Sequence, residues 1–321
     1  MKPLSGQADI ERLAQTQLPP GVKQHPGMLC ANERAFLYNC IPTEYIAGTA
    51  IVDAGAFLGA STRAFSEALR KLGVEGETIH SYEHAIFNGN TARVAKMLLK
   101  EEFSPDGRFD KILLDQLSDV DDLICFHIGD ICQESEPFDS QISILFLDVI
   151  KNSSISTKVR NLFFPKLISN QSIIIHQDYY HPQHTWIQYV MGAHKNCFEY
   201  LGRPEKPKRL NTAVFRAKSI DSDEFVRVKL EYGVDRDLDL ARMDDAVAMH
   251  KDPLEKLLVL GSRACVLSWF EKNAERATKD YYEQLERFGA HHFVSDPEQE
   301  FHIKRVERAI FLYGTGRRSF A

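Results

Sequence analysis

The sequence predicts an α/β fold with a doubly wound sheet, and three observations carry that expectation. Apolar, β-branched runs such as Ile51-Val52, Ile142 to Leu147 and Ile173 to Ile175 alternate with segments of helical spacing, as buried parallel strands and their crossover helices require. Those strands end in acids: Asp53, Glu83, Asp130, Asp148 and Asp178. Open α/β sheets bind ligands at the carboxyl ends of their strands. Finally, the first run turns over Gly55 and Gly59 straight into a helix.

Residues 1–28 read as an extended lead-in, with Pro3, Pro19, Pro20 and Pro26 around a short helical patch at Ile10, Leu13 and Ala14. A helix from Met28 to Tyr45 follows, expected to break near Pro42. Ile51 to Thr62 is a strand, a tight loop and a helix start, continued by Ala64, Phe65, Ala68, Leu69 and Leu72. Glycine lets a ligand approach the backbone of such a loop, and the helix start offers N–H groups and positive potential. The next elements are a strand at Thr78 to Glu83, a helix at Ala92 to Lys100, another at Phe109 to Leu117 and a strand at Leu123 to Ile131 containing Gly129-Asp130. Ile142 to Asp148 is a strand, Thr157 to Leu167 a helix bent or ended by Pro165, and Ser172 to Asp178 a strand. Pro182 is placed to open a helix carrying Trp186, Tyr189, Val190 and Ala193, with His181 at its N-terminal edge. Phe198 to Leu201 and Thr212 to Arg216 form a closing hairpin. This makes a seven-stranded, Rossmann-like sheet, mostly parallel with an antiparallel edge hairpin.

From Ser219 the pattern is helical. Leu254 to Phe270 continues into Ala274 to Phe288 with Gly261 as the one breaker, and Ser295-Asp296-Pro297-Glu298 reads as a capping box for a last helix ending at Gly314. The chain therefore divides into 1–48, a ligand-binding domain at 49–218 and a helical extension at 219–321. Apolar stripes at helical spacing are usually core, so the extension is expected to serve packing or homo-oligomer formation.

A net charge of −6 over 321 residues, with no long basic run, argues against nucleic acid as a partner, local residues such as Lys206, Lys208 and Arg209 notwithstanding. No leader-like or membrane-length apolar stretch is present, which makes a cytoplasmic protein with no membrane partner the expectation. Six scattered cysteines without C-x-x-C or zinc-type spacing read as buried thiols.

A dinucleotide fingerprint would be Gly-x-Gly-x-x-Gly, but here Asp53 precedes Gly55 and Gly59. An acid would repel a pyrophosphate and attract the ammonium of an amino-acid-bearing nucleoside, so an NAD(P)-dependent oxidoreductase is the weakest reading. Glu83 is placed to accept hydrogen bonds from ribose hydroxyls, and Asp130 to read an adenine amino group. The densest chemistry lies from His176 to Trp186, where His176, His181 and His184 flank Asp178, and an imidazole titrating near neutrality suits a general base. Tyr179, Tyr180 and Trp186 are equally readable as a substrate wall and as packing.

Ile51 to Gly59, Glu83 and Gly129-Asp130, in this order on successive strand ends, resemble the motifs of class I S-adenosylmethionine-dependent methyltransferases over Thr49 to Lys218. The resemblance implies a cofactor site of Asp53, Gly55, Phe57, Gly59, Ser61, Thr62, Glu83, Asp130 and Asp148. Phe146-Leu147-Asp148 with Ile174 to Tyr179 is similar to the macrocin-type O-methyltransferases, which act on hydroxyls of sugar-bearing natural products. This likeness implies a small-molecule acceptor and a divalent ion such as Mg2+ on Asp148, Gln177 and Asp178. The chain departs from that pattern at Gln177, where an acid is expected, and at Ile150, the expected base. His176, Asp178 and His181 are therefore the catalytic candidates. The other reading is a methyltransferase-like binding protein that performs no chemistry.

Overall fold

A computed structural model of the chain describes residues 2–206, 210–296 and 299–320. Strand β1 (Ala50–Ala54) is buried at every residue and pairs in parallel with β2 (Ile79–Glu83) and β4 (Ile142–Leu147). Asp53 stands opposite Ser81 on one side and Phe146 on the other. Strand β3 (Ile124–Ile128) adds to β2 in parallel. With β5 (Ile173–His176), β6 (Phe198–Gly202) and β7 (Ala213–Ala217) the strand order is β3-β2-β1-β4-β5-β7-β6, a mixed sheet with the expected antiparallel hairpin at one edge.

The residues group into two compact units that interleave in sequence: 1–149, 166–175 and 201–204 in the first, and 150–165, 176–200 and 205–321 in the second. The first holds α1 (Gln7–Ala14), α2 (Pro20–Gln24), α3 (Ala31–Glu44), α4 (Ala60–Lys71), α5 (Gly89–Leu99) and α6 (Asp110–Leu117). Helix α3 continues through Pro42 to Glu44, two residues past the expected break. In the last turn the proline gives up one backbone bond, and the helix closes with Tyr45 N–H donating to the Ile41 carbonyl at 3.0 Å.

The second unit holds α7 (Ser153–Phe163), α8 (Thr185–Ala193), α9 (Ser222–Arg227), α10 (Arg236–Ala248), α11 (Pro253–Glu271), α12 (Ala274–Arg287) and α13 (Glu300–Gly314). Helix α11 is buried along most of its length, from Leu254 to Ser268, as a helix at the centre of a helical layer must be. Each of its fully buried leucines contributes about 1.5–3 kcal/mol of burial free energy. Gly261 breaks nothing: it lies inside α11, where a Cβ would come 2.6 Å from Val306 Cγ2 of α13. The glycine is a close-approach point between two helices. The break falls instead at Lys272, in left-handed conformation, before Asn273 caps α12. Pro182 likewise does not open α8. A turn intervenes, and the helix starts at Thr185 with His184 at its cap position. Pro297 and Glu298 of the expected capping box lie outside the described residues, as do Lys208 and Arg209.

Among the described residues no helix is long and apolar enough to cross a membrane. All six cysteines remain thiols; Cys40, Cys197 and Cys265 are buried, while Cys30, Cys125 and Cys132 are only half-buried, which corrects the expectation for those three.

Candidate nucleoside cradle and polar cluster

In the first unit, the loop between β1 and α4 is shaped by left-handed backbone at Gly55 (φ 100°), Phe57 (φ 50°) and Gly59 (φ 88°). A Cβ on Gly55 would lie 2.9 Å from the carbonyl carbon of Asp148, and one on Gly59 2.8 Å from Leu117 Cδ1. The loop is thus seated on the end of β4 and on α6. Glu83 leaves the tip of β2 half-buried and closes the loop from the side: its Oε2 accepts from Phe57 N–H at 2.6 Å and its Oε1 from Ala85 N–H at 3.2 Å. The sequence expectation of unengaged loop N–H groups needs correction here. Gly55 N–H donates to Tyr82 O, and Gly59 N–H to Ala56 O, both at 2.8 Å.

Asp53 is fully buried. Its Oδ2 accepts from Ser61 Oγ at 2.8 Å and from Thr62 Oγ1 at 2.5 Å, while Oδ1 has no hydrogen-bond partner. Burial pushes its pKa up to about 6, the two hydroxyls hold it down in part, and the neighbouring Glu83 charge raises it further. Ser61 and Thr62 are therefore occupied in fixing Asp53 to the start of α4. Asp148 follows β4, its N–H donating to Ala54 O at 2.7 Å. Asp130 is exposed and its Oδ1 caps a short 3-10 turn through Cys132 N–H at 2.9 Å. Two acids at one glycine loop and an orphaned carboxylate oxygen supply negative potential that suits a positively charged nucleoside.

The second unit brings together a polar cluster after β5. Asp178 adopts a left-handed conformation (φ 59°) that folds the chain back, so that His181 N–H donates to Asp178 O at 3.0 Å and His184 N–H to His181 O at 2.9 Å. Lys151 Nζ forms an ion pair with Asp178 Oδ2 at 2.6 Å, and His184 Nε2 lies 3.8 Å from the same oxygen. The rings of His181 and His184 meet edge to face at 4.7 Å. Burial works against the ionised Asp178, yet Lys151, His184 and His181 hold its carboxyl well below the usual carboxylate range. Burial, aided by Arg305, lowers His181 to about 3; burial and Lys151 lower His184 to about 4. Both imidazoles are neutral at pH 7.

His176 stands apart from this cluster. It is fully buried beside Tyr179 and Phe215, neither ring nitrogen has a hydrogen-bond partner, and burial lowers it to about 3. Such a group is a core residue. The aromatic run is also core: Tyr179 and Tyr180 are fully buried and tied into a network with His250, Tyr200 and Glu255, and Trp186 Nε1 donates to Phe320 O at 2.8 Å.

For a divalent ion the donors are already engaged. Gln177 Oε1 accepts from Thr212 Oγ1 at 2.6 Å and Asp178 Oδ2 holds the Lys151 ammonium. An oxygen-loving dication would have to displace both partners and sit against a lysine, so these residues do not fit it. Lys151 and Arg305 are the residues that sequence reading missed. Lys151 follows the anomalous Ile150, which is the one local signal it offers.

No protein-family model matches the chain, and no curated protein matches it. Solved structures to which the chain is similar include a provisionally assigned O-methyltransferase from Klebsiella pneumoniae (15% identity, 66% of this chain and 97% of that one, TM-score 0.45). The O-methyltransferase NovP is similar at 15% identity over 65% of this chain and 96% of its own (TM-score 0.44), and the calicheamicin methyltransferase CalS11 at 14% over 65% and 90% (TM-score 0.42).

Proposed function

We propose that the chain is an S-adenosylmethionine-dependent methyltransferase acting on a hydroxyl of a small molecule, such as a sugar or a sugar-bearing natural product. The observation that carries this reading is the closure of the Gly55–Gly59 loop by Glu83, with the buried Asp53 behind it. That pairing of acids selects for a cationic nucleoside and against a pyrophosphate. The strand order supports it, because a seventh strand stands between the fifth and sixth where the dinucleotide-binding order 3-2-1-4-5-6 has none.

When bound, the sulfonium supplies an already activated methyl group. The protein's part is to hold the nucleoside, align an acceptor oxygen and take its proton. Glu83 offers carboxylate oxygens at the ribose position, at the cost of its loop bonds or alongside them. His181 and His184 are half-buried next to Asp178, but burial lowers them to about 3 and 4, so they are weak proton acceptors and do not titrate near neutrality as the sequence reading expected of a base. The Lys151 ammonium supplies positive charge beside that cluster, where it favours an alkoxide-like acceptor oxygen.

Calorimetric titration with S-adenosylhomocysteine tests the cofactor reading; saturable one-to-one binding is expected, and no heat of binding would overturn it. Methyl transfer to glycosylated hydroxyl acceptors is expected to survive exhaustive chelation, whereas activity restored only by magnesium would return Asp148, Gln177 and Asp178 to the role of ligands. The buried Ile150 favours a second reading, a nucleoside-binding protein without turnover. Binding of the nucleoside with no transfer to any acceptor would select that reading.

A further inference from the structure

Strands β2 and β3 run parallel with His80 opposite Cys125 and Tyr82 opposite His127. Side chains alternate across a sheet, so these four project from one face. There, His80 Nδ1 lies 3.1 Å from His127 Nε2, and a ring nitrogen from each histidine and Cys125 Sγ all fall within 4.8 Å of one another. The rings are held in place from beside: His127 stacks on Tyr82 at 4.1 Å with planes 6° apart, and Phe138 meets His80 edge-on at 4.9 Å.

We propose that His80, Cys125 and His127 form a binding site for a divalent ion of the zinc class. Two imidazoles and a thiolate suit borderline ions such as zinc or cobalt, and not magnesium or calcium. Two nitrogens on a tetrahedral zinc ion stand about 3.3 Å apart, given bonds of about 2.0–2.1 Å. The observed spacing is therefore close to what the ion needs. All three residues are half-buried, which leaves them reachable while excluding part of the solvent. Glu77 beside Cys125 and His127, and Glu134 beside His127, add the negative potential a dication favours. On binding, Cys125 gives its proton to solvent as the sulfur–metal bond forms, and a fourth position remains for water. A second group, His194, Cys197 and Glu224, has its histidine and cysteine buried, and Arg160 and Arg242 lie near its histidine.

The test uses the full chain, stripped with chelator and titrated with Co2+ and then Zn2+. One equivalent of Co2+ is expected to give a thiolate-to-cobalt charge-transfer band in the near ultraviolet, which Zn2+ bleaches. Cys125→Ser should abolish the band, and His80→Ala or His127→Ala should weaken Zn2+ binding by about tenfold or more, while the circular dichroism of each metal-free variant stays that of the parent. Cys197→Ser should leave the band intact. No band in the parent, a band that persists in Cys125→Ser, or one lost in Cys197→Ser would each overturn the assignment.

Discussion

Glu83 joins the sequence to the site at the scale of single residues. It was readable because a strand pattern ending in an acid some twenty to thirty residues after a glycine loop has few other uses. The structure adds that its carboxylate bridges Phe57 N–H and Ala85 N–H, bonds that involve an ion and are worth about 1.5–3 kcal/mol each. Glu83→Gln keeps an acceptor oxygen but removes the charge. Because both carboxylate oxygens accept from backbone N–H groups, we expect it to lower Tm by a few degrees and to weaken S-adenosylhomocysteine binding by about tenfold, as measured by thermal melting and calorimetry. An unchanged affinity would show that the carboxylate serves the loop alone. Asp53 was equally visible in the sequence, but its direction was not: Ser61 and Thr62, eight and nine residues on, turn it inward. Lys151 could not be read as the partner of Asp178, because a pair 27 residues apart is made by the fold and not by any local pattern.

Elements were legible where periodicity was strong, and misread where one residue type has two uses. Gly261 is such a case. In isolation a glycine weakens a helix, yet α11 runs through it because the space over it belongs to Val306. Gly261→Ala is expected to destabilise the protein by about 1–3 kcal/mol through overpacking. Val306→Ala in the same chain should return part of that loss, since it clears the methyl groups that a Cβ meets. Chemical denaturation of the two single variants and the double variant measures the coupling, and strictly additive losses would refute the close-approach account. Gly55 follows the same logic with backbone in place of side chain. Gly55→Ala meets the Asp148 carbonyl at 2.9 Å and a φ of 100°, so it should cost stability as well as nucleoside binding.

Across the whole molecule, burial sets the response to pH. It lowers His25 to about 4, His176 and His181 to about 3, and His184 and His194 to about 4. In the unfolded chain each takes up a proton near its ordinary value of about 6.5, whereas in the folded chain it resists doing so. The resulting stability is present in full above about pH 6.5 and is lost as the pH falls toward 4. Asp53, raised to about 6, acts in the opposite sense: its burial is best tolerated at low pH and costs stability as the pH rises through 6. Burial also lowers His80 and His127 and raises Asp239, so seven histidines stand against two acids, which gives a net loss on acidification. The Tm is expected to fall steadily between pH 7 and pH 4.5, and a flat or rising profile over that range would contradict the burial of these imidazoles.

Sequence alone determined the kinds of element, the alternation that makes an α/β sheet, and the acids at strand ends. Each of these is a local property: periodicity of burial along a segment, or the identity of the residue where a strand stops. Only the tertiary structure decided which side chains meet. It withdrew His176 and the tyrosines after it into the core, gave Asp178 a lysine, and brought His80 to Cys125 and His127, 45 and 47 residues away. The register between two strands is a non-local quantity, fixed by packing summed over the whole sheet, and no spacing along the chain encodes it.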